Sequence, residues 1–96
     1  MAFWVYLLEC SDGSYYTGHT DDLERRVAQH EAGACGGYTA TRLPVRLAWT
    51  QDFGTREEAL EREMQVKRWS RAKKKALCQG DWEEVSRLAR KRFDKT

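Results

Sequence analysis

The stretch FWVYLLECSDGSYYTG spans residues 3–18 and decides the fold. Its first six residues form a continuous apolar run that is short enough for a strand and does not alternate, so both faces of that strand should be covered. Ser11-Asp12-Gly13 favours a turn, and residues 14–18 return as a second strand. We therefore predict a β-hairpin whose first strand, Phe3–Leu8, lies at the centre of a sheet.

The length of the hairpin loop decides which side chains share a face, because strand side chains alternate with a period of two. A two-residue loop would put Tyr6 and Tyr16 on opposite faces. A three-residue loop with Gly13 in the left-handed conformation pairs Leu8 with Tyr16 and Tyr6 with Gly18. Since glycine occupies the last loop position, we predict the second arrangement, with both tyrosines on one face.

The rest of the chain is predicted to add one strand and four helices. The strand spans residues 43–53, residues 33–42 form a loop, and the helices span Asp21–Ala32, Thr55 to about Trp69, Ser70–Gln79 and a segment opening at Asp81. The resulting order is β-β-α-β-α-α-α. It predicts a single α+β domain over residues 1–96, with a three-stranded, largely antiparallel sheet flanked by helices.

Charge is distributed unevenly along the 96 residues. Residues 62–96 carry twelve Lys and Arg against five Asp and Glu, whereas residues 1–61 carry five against ten. A basic half indicates an anionic partner on one side, although solvated helix faces give the same pattern. The three cysteines are an odd number, and neither a basic leader nor a long apolar run is present. These features predict a cytoplasmic protein that does not contact a membrane.

Polar side chains fall at inward positions of two predicted helices. In the second helix, Glu63 lies near the middle of an apolar arc formed by Ala59, Leu60, Met64 and Val66. A buried carboxylate needs a cation or hydrogen-bond donors, and Lys67 or a metal ion could serve; a solvated position at the mouth of the arc is the alternative. In the first helix, Arg26 and His30 flank the inner face, where they could bind an anion or satisfy core groups. Tyr15 and Tyr38 are expected in the core.

Taken together, these residues resemble the GIY-YIG nucleases. The two name-giving triplets correspond to WVY at 4–6 and YTG at 16–18, and the later motifs read DLERR at 22–26, H at 30 and ALERE at 59–63. The similarity covers about residues 3–69 and is greatest to small stand-alone bacterial members. Residues 70–96 form a basic helical part. Trp4 replaces a glycine of the pattern, His19 stands where several members carry lysine, and Lys75 stands where an asparagine is often found.

The resemblance implies a role for each matching residue. Tyr6 and Tyr16 would line the site, one of them as general base or as the group that positions the water. Arg26 would bind the scissile phosphate, and His30 matches a histidine found one turn after that arginine in some members. Glu63 would hold a single Mg²⁺ or Mn²⁺ ion. A neighbouring cation is expected to lower the pKa of the catalytic tyrosine from its free value near 10.

The expected function is that of a metal-dependent endonuclease acting on branched, nicked or damaged DNA, with a place in repair or recombination. One alternative is a non-catalytic nucleic-acid-binding module with a degenerate site. Another is an RNA-directed enzyme, or an adaptor that needs a protein partner. The basic side chains expected to contact phosphates are His19, Arg25, Arg42, Lys67, Arg68, Arg71, Lys73 and Lys74.

Overall fold

A computed structural model describes residues 2–80 of the chain. The elements are β1 (Phe3–Glu9), β2 (Tyr15–Thr20), α1 (Leu23–Glu31), α2 (Gly37–Ala40), β3 (Arg46–Phe53), α3 (Arg56–Lys67) and α4 (Arg71–Cys78). The three strands form one antiparallel sheet in the order β2-β1-β3, so β1 is central and β2 and β3 are edges. The predicted α+β class and the three-stranded sheet are confirmed.

The hairpin has the predicted register. Leu8 lies opposite Tyr16 and Tyr6 lies opposite Gly18. Gly13 adopts a φ of 82°, which favours glycine, and the Cys10 N–H donates to the Ser14 carbonyl at 2.9 Å. The three-residue loop therefore places both tyrosines on one face of the sheet.

Both faces of β1 are covered, as its unbroken apolar sequence indicates. On one face Leu7 packs against α3 and α4 through Val66, Ala76 and Leu77. On the other face Tyr6 and Leu8 pack with Tyr16 and with α1 through Leu23 and Val27. The candidate site residues are thus divided between two layers, one on each side of the sheet.

Three element boundaries differ from the prediction. Helix α1 begins at Leu23 rather than Asp21, because it is the carboxylate of Asp22 that accepts the Arg25 backbone N–H. The segment 33–42, predicted as a loop, contains the single-turn helix α2. Strand β3 begins at Arg46 rather than at residue 43.

The apolar arc predicted for α3 is partly wrong. Leu60 and Met64 are 41% and 51% exposed, whereas Ala59, Glu63 and Val66 form the buried face. These three positions follow i, i+4 and i+7 spacing, so the stripe that faces the sheet is narrow. The helix predicted from Asp81 lies outside the described residues. Between residues 2 and 80, no helix is long and apolar enough to span a bilayer.

Candidate active site

Tyr6 lies at the centre of the candidate site. Its side chain is only 1% exposed, and its hydroxyl lies 3.0 Å from Nε2 of His30. A methyl group added at Gly18 would lie 2.5 Å from the same hydroxyl oxygen. The Tyr6 ring therefore crosses directly over the backbone of β2, at a position where only a residue without a Cβ leaves room.

Tyr16, His30 and Arg26 complete this cluster. The Tyr16 and His30 ring centroids are 5.0 Å apart, and the two tyrosine rings are 6.4 Å apart. The Arg26 side chain interacts with the Tyr6 hydroxyl, and its charge also acts on Tyr16. The structure thus brings together four of the five predicted catalytic residues, from β1, β2 and α1.

Burial determines the protonation of the cluster. It raises the pKa of Tyr6 to about 12, and this outweighs the opposite effect of Arg26. For Tyr6 the direction is therefore opposite to the one expected from a neighbouring cation. Burial, with the charge of Arg26 as the second cause, lowers the pKa of His30. At neutral pH, Tyr6 keeps its phenolic proton and His30 is an uncharged imidazole with one lone-pair nitrogen.

The fifth residue, Glu63, approaches β2 from the other face of the sheet. It is 8% exposed, and its Oε2 lies 3.0 Å from Nδ1 of His19. Its Oε1 lies 4.0 Å from Nζ of Lys67, the partner that helical spacing predicts. Because successive strand residues point to opposite faces, His19 faces away from the Tyr6 cluster. The two groups of side chains therefore lie on opposite faces of edge strand β2, at the neighbouring residues Gly18 and His19.

Glu63 is compatible with a hydrated divalent ion. Over residues 2–80, no three His, Cys, Asp or Glu side chains are grouped so that they could hold a metal together. Mg²⁺, however, is commonly bound through one or two carboxylates and keeps several waters. Glu63 Oε1, whose contact with Lys67 Nζ is long at 4.0 Å, is the oxygen that could serve as a ligand of such an ion.

A second wall of the site comes from α2 and the residues after it. Tyr38, expected in the core, is 40% exposed, and its ring lies 6.2 Å from the Tyr16 ring. The Arg42 guanidinium carbon lies 3.7 Å from the centre of the Tyr38 ring, while Arg42 Nε donates to Asp12 at 3.1 Å. This predicted phosphate contact is therefore held next to the tyrosines by a stacked and ion-paired arrangement.

The other basic candidates differ in exposure. Arg25, Lys67, Arg68 and Arg71 are exposed. Lys73 is buried, with Nζ 3.9 Å from the centre of the Trp69 ring. Burial and the neighbouring Lys67 lower the pKa of half-buried Lys74. The four exposed side chains are therefore the ones best placed to meet phosphates.

Sequence reasoning missed Thr39. It is 1% exposed, and its Oγ1 lies 2.8 Å from Nδ1 of His30. A segment predicted as a loop has no periodic apolar pattern from which the burial of a threonine could be predicted. Only the return of the chain through α2 places this hydroxyl against the histidine.

The family comparison agrees with this geometry. The model of the GIY-YIG catalytic domain matches residues 2–76. The chain belongs to the GIY-YIG family. This GIY-YIG chain is 53% identical over 73 residues to a UPF0213 protein of Halobacterium salinarum, covering 76% of this chain and 95% of that relative. It is 44% identical over 92 residues to a UPF0213 protein of Halalkalibacterium halodurans, covering 93% and 98% of the two chains.

Two solution NMR structures resemble this GIY-YIG chain. The UPF0213 protein BH0048 from Bacillus halodurans aligns with a TM-score of 0.54 at 44% identity, over 92% of this chain and 97% of the other. The protein EF2693 from E. faecalis aligns with a TM-score of 0.57 at 36% identity, over 83% and 85%. A GIY-YIG domain indicates nuclease activity and nucleic-acid binding, and members of the family generally use divalent metals.

Proposed function

We propose that this protein is a divalent-metal-dependent endonuclease that hydrolyses phosphodiester bonds in DNA, with branched, nicked or damaged DNA as its substrates in repair or recombination. The observation that carries the proposal is the convergence of Tyr6, Tyr16, Arg26 and His30 on one face of the hairpin. Half-buried Arg26 and Tyr16 can bind a phosphate and orient a water molecule, while buried Tyr6 and His30 hold them in place.

Substrate binding would begin at the exposed basic residues. Lys67, Arg68 and Arg71 lie at the end of α3 and the start of α4, on the same side of β2 as Glu63. Contacts of this kind fix the position of the nucleic acid without reading its sequence. Arg26, beside the tyrosine hydroxyls, would then hold the scissile phosphate and stabilise the charge that develops on it.

The two tyrosines would have different roles. Tyr6 is fully buried and its hydroxyl contacts Nε2 of His30, so it would hold the site in place. Tyr16 is half-buried and reaches solvent, so it is the tyrosine that would act as general base or position the attacking water. The water oxygen bonds to phosphorus, the bond from phosphorus to the leaving deoxyribose oxygen breaks, and that oxygen takes up a proton to leave as the alcohol.

Glu63 would hold the metal ion, Mg²⁺ or Mn²⁺. When bound, the ion would act as a Lewis acid on the phosphate and the leaving oxygen. His19 and Lys67, which contact Glu63 in the structure, would set the orientation of its carboxylate.

One observation favours a second function, a nucleic-acid-binding module without catalysis. Both oxygens of Glu63 already face nitrogen atoms of other side chains, Nδ1 of His19 and Nζ of Lys67. If these contacts exclude the metal, the exposed basic residues would still bind DNA. The two functions differ in metal dependence and in the effect of substitutions at Glu63.

Cleavage of labelled duplex, flap, junction and single-stranded DNA tests the proposal, with Mg²⁺, Mn²⁺ or EDTA present. We expect metal-dependent nicking that Glu63→Gln and Arg26→Ala each reduce by roughly 100-fold or more. The matched controls are Glu57→Gln and Arg56→Ala, exposed residues of the same charge on α3. Tyr16→Phe should lower kcat more than Tyr6→Phe. Salt-sensitive binding without cleavage in any metal would instead establish the binding module.

A further inference from the structure

We propose that Thr39 is a positioning residue of this site, which fixes His30 in the tautomer that carries its proton on Nδ1. The inference rests on the proposed function, because it concerns how the phosphate-binding arginine and the buried tyrosine are held. It assigns a role in the site to the short helix α2, which contributes none of the predicted catalytic residues.

Three side chains form a continuous chain of polar contacts through the interior, and the charge of Arg26 acts on the Tyr6 hydroxyl at one end. That hydroxyl lies 3.0 Å from Nε2 of His30, and Nδ1 on the other side of the ring lies 2.8 Å from the Thr39 hydroxyl. Tyr6, His30 and Thr39 are each 1% exposed. Water therefore has little access to these groups, and each must find its partner among the others.

The number of available hydrogen-bond donors indicates which atom donates in each of these contacts. A guanidinium only donates, so the nearby charge of Arg26 favours an orientation in which the Tyr6 oxygen turns its lone pairs toward Arg26. The single Tyr6 proton is then best directed at Nε2 of His30, which must carry a lone pair. The ring is uncharged because burial and Arg26 lower the pKa of His30, so its one proton is on Nδ1. The hydroxyl of Thr39 is the acceptor for that proton.

The opposite tautomer would disturb the phosphate site. With the proton on Nε2, the His30 N–H would point at the Tyr6 oxygen, which also faces the charge of Arg26, and the Tyr6 proton would lose its acceptor. Either Tyr6 or Arg26 would then have to turn away. By accepting the Nδ1 proton, Thr39 holds the Tyr6 hydroxyl toward His30 and keeps its lone pairs toward Arg26.

The tautomer of His30 can be measured directly by ¹⁵N NMR on the full chain above pH 7. In the wild type we expect a protonated Nδ1 and a lone-pair Nε2. Thr39→Ser keeps a hydroxyl and should preserve this pattern, whereas Thr39→Val should shift the ring toward the Nε2-protonated form. Thr41→Val is the matched control, because the Thr41 hydroxyl contacts Tyr38 and Arg42 rather than His30.

The kinetics of DNA cleavage provide the second measurement. Thr39→Val should lower kcat by roughly 10- to 100-fold, the range for partners that orient a functional histidine, with KM little changed and with recovery in Thr39→Ser. A wild-type ring protonated on Nε2, or an unchanged ring in Thr39→Val, overturns the inference. Should Thr39→Val fail to fold, the wild type and Thr39→Ser decide it. If the tautomer is as stated but no DNA is cleaved, the proposed function fails and the positioning role of Thr39 stands.

Discussion

At the scale of single residues, Gly18 determines how closely Tyr6 can approach β2. We expect Gly18→Ala to destabilise the protein by about 1–3 kcal/mol, because the new Cβ would overlap the buried Tyr6 ring and force it to move. Urea unfolding measures the effect. Gly54→Ala is the control, since a Cβ there meets nothing within 4 Å. Equal stability of the two variants would show that Tyr6 does not occupy this position in solution.

His30 gives the stability of the protein a defined pH dependence. Its pKa in the folded state lies below the ordinary 6.5, so below pH 6.5 the unfolded chain binds a proton that the folded chain does not. Stability should therefore fall as the pH is lowered from about 7 to 5. The free energy of unfolding, measured by urea at several pH values, should fall less steeply in His30→Gln. Identical slopes for the two proteins would contradict a depressed pKa at His30.

At the scale of elements, the start of α1 depends on which of two adjacent aspartates caps the helix. Sequence alone favours Asp21, whereas in the structure the Asp22 side chain accepts the Arg25 N–H. Asp22→Ala should cost about 1 kcal/mol of stability, the usual value of an N-cap, and Asp21→Ala should cost much less. The stabilities of the two variants can be compared through their denaturant midpoints. A larger loss of stability in Asp21→Ala would show that Asp21 is the cap.

Sequence-based prediction succeeded for elements whose pattern is local. The hairpin follows from the position of Gly13, and α3 and α4 follow from Thr55 and Ser70, whose side chains accept the N–H groups of Glu58 and Lys73. The prediction of the buried face of α3 was partly wrong, because residue hydrophobicity does not reveal how much of the helix surface contacts the sheet. Leu60 and Met64 are apolar but lie beside that face rather than on it.

At the scale of the whole molecule, the exposed basic residues at the junction of α3 and α4 should govern binding to DNA. We expect the dependence of log Kd on log salt concentration to weaken by about 0.9 for each phosphate contact removed. The triple change Lys67→Ala, Arg68→Ala and Arg71→Ala should therefore reduce the slope for duplex binding by roughly two to three. Fluorescence anisotropy in a salt series measures this slope.

The control variant removes positively charged residues from another part of the molecule. Arg46 on β3 pairs with Glu9, and Arg56 lies at the start of α3 beside the Phe3 ring. Removing Arg46 and Arg56 together should leave the slope nearly unchanged. A loss of slope equal to that of the triple variant would mean that binding is spread over the surface rather than directed to one side.

The sequence by itself determined the hairpin register and the shared face of Tyr6 and Tyr16, because strand alternation and turn geometry are local properties. The resemblance to GIY-YIG nucleases supplied the residue types of the candidate site. Only the tertiary structure decided where Glu63 lies relative to the tyrosines and which side chains contact its carboxylate. Lys67 is a neighbour in the helix, but His19 is 44 residues away along the chain. The same holds for Thr39 and His30, whose contact depends on the path of the chain through α2. Such pairs are set by the packing of elements against a common sheet, and no periodicity along the chain records them.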